Sequence, residues 1–369
     1  MTAAPTSGPR RGARRASALS IAALARTAAR VLGLSSLLAC QRPAPSAPAP
    51  DPRQLATDGV KRLVDAESAA LEAQARALCA AAPAPDADGW SIAADRGAVQ
   101  AMRAAWSRGR VHYERIEGAI AILFPETDLA IDGRFEHVAA RRPDDDPFDA
   151  HGFVGMHAIE RILWSDAIPE PVVQFERALP GWREPRTPSN ATEARAFREG
   201  LCARLVEDVS SMTRALGPVA LDPATAWRGV LGSVEEQAEK VQLGATGQDE
   251  SRYAGSTLAD MRANLEGGLR VLEAFRPWLE ATPGGAAARD RIRERFERLA
   301  REYARTAGDA LPDVPDGFDP DAPSAEHLQT PYGRLYALLA RESDPLQPGS
   351  LAHMLRETGR MLGIEPIAR

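Results

Sequence analysis

Residues 155–164, Gly-Met-His-Ala-Ile-Glu-Arg-Ile-Leu-Trp, combine a histidine and a glutamate at a spacing that suits metal binding. Apolar residues recur in this segment at helical intervals, which predicts a helix. His157 and Glu160 are three residues apart and would project from nearly the same helical face. An imidazole and a carboxylate can together supply two ligands to a borderline or hard divalent cation. In a lone His-x-x-Glu the two side chains could equally bond to each other at the surface, so whether this pair binds a metal has to be judged from the rest of the chain.

Other acidic residues occur in pairs or at turns and are candidates for the same site. Helical bundles build metal sites from carboxylates that facing helices present to each other. Like charges held close together are costly unless a cation neutralises them. Each pair alone could equally lie on a solvent-exposed helix face, so it is the occurrence of several pairs together that indicates a metal site. Beside His157 and Glu160, the metal candidates are Glu114, Glu117 and Asp132, with Glu250, Asp260 and a further imidazole, His151, as additional candidates.

The charge balance excludes nucleic acid and favours cations. The 369 residues carry a formal net charge of -6. The first 40 residues contain six arginines and no acid, so removing them takes the net charge from -6 to -12. A nucleic-acid-binding protein needs a basic footprint, which the acidic body lacks.

The N-terminus has the features of an export signal. Residues 1–39 are rich in Arg and Ala and end in a short apolar run, which predicts a signal peptide, by the general or the twin-arginine route. Leu37-Leu38-Ala39-Cys40 resembles the lipobox of bacterial lipoproteins, in which the cysteine becomes the lipidated first residue. Residues 40–54 form a Pro/Ala-rich tether. Gln41 after the cysteine favours the outer over the inner membrane, with the body facing the periplasm.

Residues 55–365 are predicted to be an all-α domain, a helical bundle of two packed four-helix halves. Ala, Leu, Arg and Glu dominate, and no segment alternates as a strand would. One long helix is predicted from about Ser91 to Phe124. Cys79 and Cys202 could form a disulfide in an exported protein, or remain two buried thiols.

Four motifs follow one another along the chain. They are Arg110-x-x-Tyr113-Glu114-x-x-Glu117, Ile131-Asp132-Gly133-Arg134, Gly155-x-His157-x-x-Glu160 with Leu163-Trp164, and Tyr253, Asp260, Asn264 and Gly267. In this order they resemble the imelysin-like family, and within it the imelysin-like domain of EfeO-type periplasmic iron-uptake proteins. The resemblance covers essentially the whole body. It implies a fold of two four-helix bundles and a metal site at His-x-x-Glu, here His157 and Glu160, extended to Glu114, Glu117 and Asp132.

The resemblance leads to one main hypothesis and two alternatives. We expect a lipid-anchored envelope protein that binds a divalent or trivalent metal, iron before zinc, with an iron permease and a peroxidase as partners. The chain is expected to be the short form without a cupredoxin domain. An imelysin-type metallopeptidase is one alternative, although no general base can be named and His-Glu-x-x-His is absent from the sequence. A module that binds an acidic polysaccharide or a partner protein is the other.

Overall fold

The structure is a computed structural model, and it describes residues 50–91, 93–139 and 146–364. The predicted signal peptide, Cys40 and residues 41–49 of the predicted tether lie outside these residues. Within the described part of the chain, all regular structure is helical and there is no β-strand, so the predicted all-α class is confirmed.

The first helix, α1 (Pro52–Ala81), begins slightly before the predicted domain boundary at residue 55. The Asp51 carboxylate accepts a hydrogen bond from the Arg53 N–H, and Pro52 occupies the first turn, where its missing N–H costs nothing. These two signals start the helix at Pro52, inside the segment that composition assigned to the tether.

The remaining helices follow in short and long pieces. They are α2 (Arg96–Glu114), α3 (Glu117–Leu123), α4 (Pro125–Asp132), α5 (Phe135–Ala139), α6 (Met156–Leu163), α7 (Glu170–Arg177), α8 (Ala191–Ala196), a π-helical turn (Phe197–Cys202), α9 (Ala203–Leu216), α10 (Pro223–Gly244), α11 (Thr257–Ala274), α12 (Arg276–Ala281), α13 (Gly285–Arg305), a 3-10 turn (His327–Gln329), α14 (Pro331–Ser343) and α15 (Leu351–Met361).

The prediction of one helix from Ser91 to Phe124 is wrong, because α2 ends at Glu114 and α3 begins at Glu117. The chain turns at Arg115, where α11 crosses so closely that a Cβ on Gly267 would lie 2.2 Å from the Arg115 carbonyl oxygen. The break therefore lies where two elements approach backbone to backbone.

α10 and α11 are the central helices of the bundle. On one side α11 packs against α1 and α2, and α10 packs against α3; α9 packs on α1. On the other side α10 packs against α14 and α15, and α11 against α13. The two groups of helices thus share a central pair, and the apolar core runs continuously through both. None of the described helices combines the length and apolarity needed to cross a membrane.

A disulfide joins Cys79 near the end of α1 to Cys202 at the end of the π-helical turn, with a Cα–Cα distance of 5.6 Å. Of the two alternatives for these cysteines, the structure has the disulfide. Such bonds form and persist in oxidising compartments.

Candidate metal centre

His157 lies in the first turn of α6 and is only 1% exposed. Its Nδ1 donates a hydrogen bond to Glu160 Oε2 at 2.7 Å. The opposite ring edge faces two further carboxylates, with Nε2 3.2 Å from Asp132 Oδ1 and 3.4 Å from Glu250 Oε1. The imidazole is therefore itself buried and has carboxylates on both edges.

Gly155 determines how closely α6 approaches α4. Its φ of +89° is a conformation that side chains rarely adopt. A Cβ at this position would lie 2.5 Å from the carbonyl oxygens of Ala130 and Ile131, in the last turn of α4. Because only a glycine permits this approach, the start of α6 can place His157 beside Asp132. This close approach explains why a glycine stands at the first position of the Gly-x-His-x-x-Glu motif.

Both oxygens of Glu160 are already bonded within the fold. Oε2 accepts from His157, and Oε1 accepts from the backbone N–H groups of Tyr253 at 3.0 Å and Ala254 at 2.8 Å. Glu160 is fully buried and lies behind the imidazole, on the side away from Asp132 and Glu250. A carboxylate on the far nitrogen of a metal-ligating histidine fixes its tautomer and orientation.

Asp132, His157 and Glu250 form a group of potential ligands at the Nε2 edge of the ring. Their ligand atoms all lie within 4.8 Å of one another. They come from the end of α4, the start of α6 and the loop between α10 and α11. One imidazole nitrogen and two carboxylate oxygens suit a borderline or hard cation, such as ferrous iron or zinc. We call these three residues the histidine triad.

Glu114, Glu117 and Glu250 form a second group that meets the same distance criterion. We call it the glutamate triad, and it shares Glu250 with the histidine triad. The Lys240 ammonium from α10 contacts all three acids: Nζ donates to Glu114 Oε2 at 2.7 Å and Glu117 Oε2 at 2.9 Å, and lies 3.7 Å from Glu250 Oε2. The predicted pair Glu114 and Glu117 does converge, although the helix breaks between them.

Arg110 on α2 is the second buried cation of the site. Its guanidinium pairs with Asp132 and Glu114 and lies 3.5 Å from the nearest Glu250 oxygen. A planar fork of donors suits several carboxylates at once. The positive charges of Arg110 and Lys240 offset the mutual repulsion of the carboxylates, and so allow these acids to lie close to one another.

Asp260, an additional candidate, lies next to Arg110 rather than inside either triad. It is 2% exposed, accepts a hydrogen bond from the Ser251 hydroxyl, and lies 3.6 Å from the Arg110 guanidinium. Burial raises the pKa of Asp260 to about 6, although the charges of Arg110 and Lys240 oppose this. His151 is exposed, unlike His157, and the structure does not bring it to the site.

The protonation of the histidine triad follows from burial and from its neighbours. Burial opposes a charged imidazole, but Asp132 and the hydrogen bonds to Glu160 and Glu250 outweigh it and raise the pKa of His157 well above its ordinary value. Burial also works against a charged Glu250, yet Lys240, the hydrogen bond from His157 and Arg110 hold its pKa well below the usual range. A cation bound at Nε2 would take the place of the proton that faces Asp132 and Glu250.

An acidic cleft of about 220 Å³ leads from solvent to the two triads. It reaches Asp132 and Glu250 of the histidine triad and Glu117 and Lys240 beside it. Further acids, which include Glu236 and Glu239 of α10, line the same cleft. Six acids line the cleft against the basic side chains of Arg134 and Lys240, and this excess of acids favours the approach of cations.

Sequence reasoning gave no role to Arg110 or Lys240. A compositional signal existed for the lysine: among 45 basic residues only Lys61 and Lys240 are lysines. Helical spacing could not relate Lys240 to acids more than 120 residues earlier in the chain. Arg110 lies within a motif already singled out, but nothing in the spacing showed which acids it would pair with.

Comparison with known proteins identifies the family. A family model described as imelysin matches residues 56–341. Curated relatives include the iron uptake system component EfeO of Escherichia coli (strain K12), of Shigella flexneri and of Escherichia coli O157:H7. Each is 25% identical over 224 residues, or 60% of this chain and 50% of the relative, so the chain spans about half the length of these relatives. Because the family match covers well over half of its residues, the protein belongs to the imelysin family.

Proposed function

We propose that the protein binds iron as cargo at the histidine triad and serves as a component of iron uptake. The observation that carries this proposal is the convergence of Asp132, His157 and Glu250, two of which, Asp132 and Glu250, line an acidic cleft. The similarity to EfeO, an iron uptake system component by name, supports iron as the ion. The donor set, one nitrogen and carboxylate oxygens, fits ferrous iron and also admits zinc as a surrogate.

In this proposal Asp132, His157 Nε2 and Glu250 contact the cation, and Glu160 holds the imidazole in place. Each side chain comes from a different element, so the site exists only in the folded bundle. Arg110 and Lys240 keep the surrounding acids together in the absence of the ion. Glu114 and Glu117 contribute through Lys240, which they hold beside Glu250.

The proposal extends to location and partners. Export with lipidation at Cys40 would anchor the body to the envelope, facing the periplasm, and the disulfide between Cys79 and Cys202 is consistent with an oxidising compartment. There the protein would pass its cation to an iron permease, with a peroxidase as a further partner. Mass spectrometry of the mature N-terminus tests the anchor: a lipidated Cys40 supports it, and a mature chain that retains residues 1–39 contradicts it.

Calorimetry with anaerobic ferrous iron, and with zinc as surrogate, tests the site. Asp132→Asn and His157→Gln should each weaken binding by more than the roughly 10–100-fold loss typical of outer-shell partners. His151→Gln is the matched control, since His151 is close in sequence but exposed, and it should bind like the wild type. Unchanged affinity in the Asp132 and His157 variants would reject the site. Chelator-sensitive peptide cleavage by the purified protein would instead favour the metallopeptidase alternative.

A further inference from the structure

The Lys240 ammonium lies beside all three carboxylates of the glutamate triad. Its side chain is 3% exposed, and its ammonium lies among carboxylates from α2, from α3 and from the loop after α10. An ammonium is a compact point charge with three donors, so it can serve three acids as a small cation would.

Glu250 links this position to the histidine triad. One of its oxygens, Oε1, lies 3.4 Å from His157 Nε2, and the other, Oε2, lies 3.7 Å from Lys240 Nζ. The carboxylate therefore bridges two adjacent cation positions, one beside the imidazole and one filled by the lysine. Helical bundles that hold two metal ions use carboxylates on facing helices in a comparable arrangement.

We propose that Lys240 acts as a built-in cation that fills the second position and limits the protein to one metal ion, at the histidine triad. This inference rests on the proposed function for the identity of the first site. Without the ammonium, Glu117 would lose the cation that it pairs with. The crowded acids would be left with two guanidinium groups, that of Arg110 at Glu114 and that of Arg134 at 3.8 Å from Glu250, beside a cleft open to solvent. Because crowded carboxylates recruit a cation, the vacated position should then take a second ion.

The test is a count of bound ions by equilibrium dialysis against Mn²⁺ followed by elemental mass spectrometry. The wild type should bind one ion and Lys240→Met one more than the wild type. Lys240→Arg, which keeps the charge, should not gain an ion. Lys61→Met removes the only other lysine, which pairs with Asp65 at the surface of α1, and should match the wild type. An equal count in Lys240→Met and wild type would overturn the proposal.

Two further measurements distinguish a variant that fails to fold from one that folds but gains no second ion. Lys240→Gln removes the charge but keeps an amide that can donate to the acids, and it too should gain one ion. If neither variant folds even with Mn²⁺ present throughout purification, the proposal fails, because an ion in the triad should substitute for the ammonium. If the wild type binds no ion but Lys240→Met binds one, the proposed function fails at the histidine triad while the role of Lys240 stands.

Discussion

Glu160 occupies a motif position, yet its carboxylate bonds to the imidazole and to two backbone N–H groups of the loop after α10. A glutamine at this position has one acceptor oxygen and one donor nitrogen. With its oxygen on the loop N–H groups, its NH₂ would face Nδ1, which can accept only when the ring proton lies on Nε2, the nitrogen proposed to bind the cation. The residue thus positions His157 from behind.

At the scale of single residues, we expect Glu160→Gln to weaken ferrous iron binding by about 10–100-fold, the range typical for outer-shell partners of metal ligands. The folded helical content should be retained. Calorimetry measures the affinity, and Glu207→Gln on the exposed face of α9 is the control. An affinity equal to that of the wild type would contradict the positioning role. A loss as large as that of Asp132→Asn would indicate a direct ligand.

How much of the site could be predicted differs from residue to residue. His157 and Glu160 are visible because they share one helix face, where spacing translates directly into proximity. Glu250 was only an additional candidate because it lies in a loop 93 residues after His157. Spacing relates residues of one helix, whereas the histidine triad depends on how three distant elements meet.

At the scale of elements, the contact between α4 and α6 depends on Gly155. An alanine would have to adopt a φ of +89° and would place its Cβ 2.5 Å from two carbonyl oxygens. We expect Gly155→Ala to lower the free energy of unfolding by about 3 kcal/mol or more, since backbone strain alone costs about 1–3 kcal/mol. Metal affinity should fall as well, because α6 must move away from Asp132.

Gly308→Ala is the matched control, because its φ of +77° is equally strained while nothing lies within 4 Å of the added Cβ. Urea unfolding should show a smaller loss for this variant, about 1 kcal/mol. Equal losses in the two variants would mean that the close approach to α4 contributes nothing.

Element boundaries were the less predictable part of the fold. The start of α10 has a local cause, since Asp222 caps the first turn and Pro223 occupies its first position. The two residues between α2 and α3, Arg115 and Ile116, are not of the types that commonly end a helix, proline and glycine. It arises where α11 crosses at Gly267, and such a tertiary contact leaves no local signal in the sequence.

At the scale of the whole molecule, the disulfide closes a loop across 123 positions of sequence, from α1 to the turn before α9. Cross-links that close long loops restrict the unfolded chain most, so we expect the double change Cys79→Ala and Cys202→Ala to lower stability by roughly 3–5 kcal/mol. Urea unfolding of the oxidised protein, the reduced protein and the variant checks this. Reduction should reproduce the loss in the wild type and change nothing in the variant; a wild type insensitive to reduction would contradict it.

The global architecture was predictable because composition and periodicity both favour helices, and no segment competes as a strand. The central position of α10 and α11, which contact both groups of helices, could not be predicted. Periodicity shows which face of a helix is buried but not which helix covers it. The negative net charge did predict that the molecule would favour cations. An acidic body is consistent with a cleft that attracts cations.

We expect one cation to bind between Asp132, His157 and Glu250. Crystals soaked with zinc and with ferrous iron, measured at each absorption edge, test it most directly. We expect a single anomalous peak about 2.0–2.2 Å from His157 Nε2 and from one oxygen each of Asp132 and Glu250, with Lys240 still in the glutamate triad. No peak at the histidine triad, or a peak only at a surface carboxylate, would contradict the account.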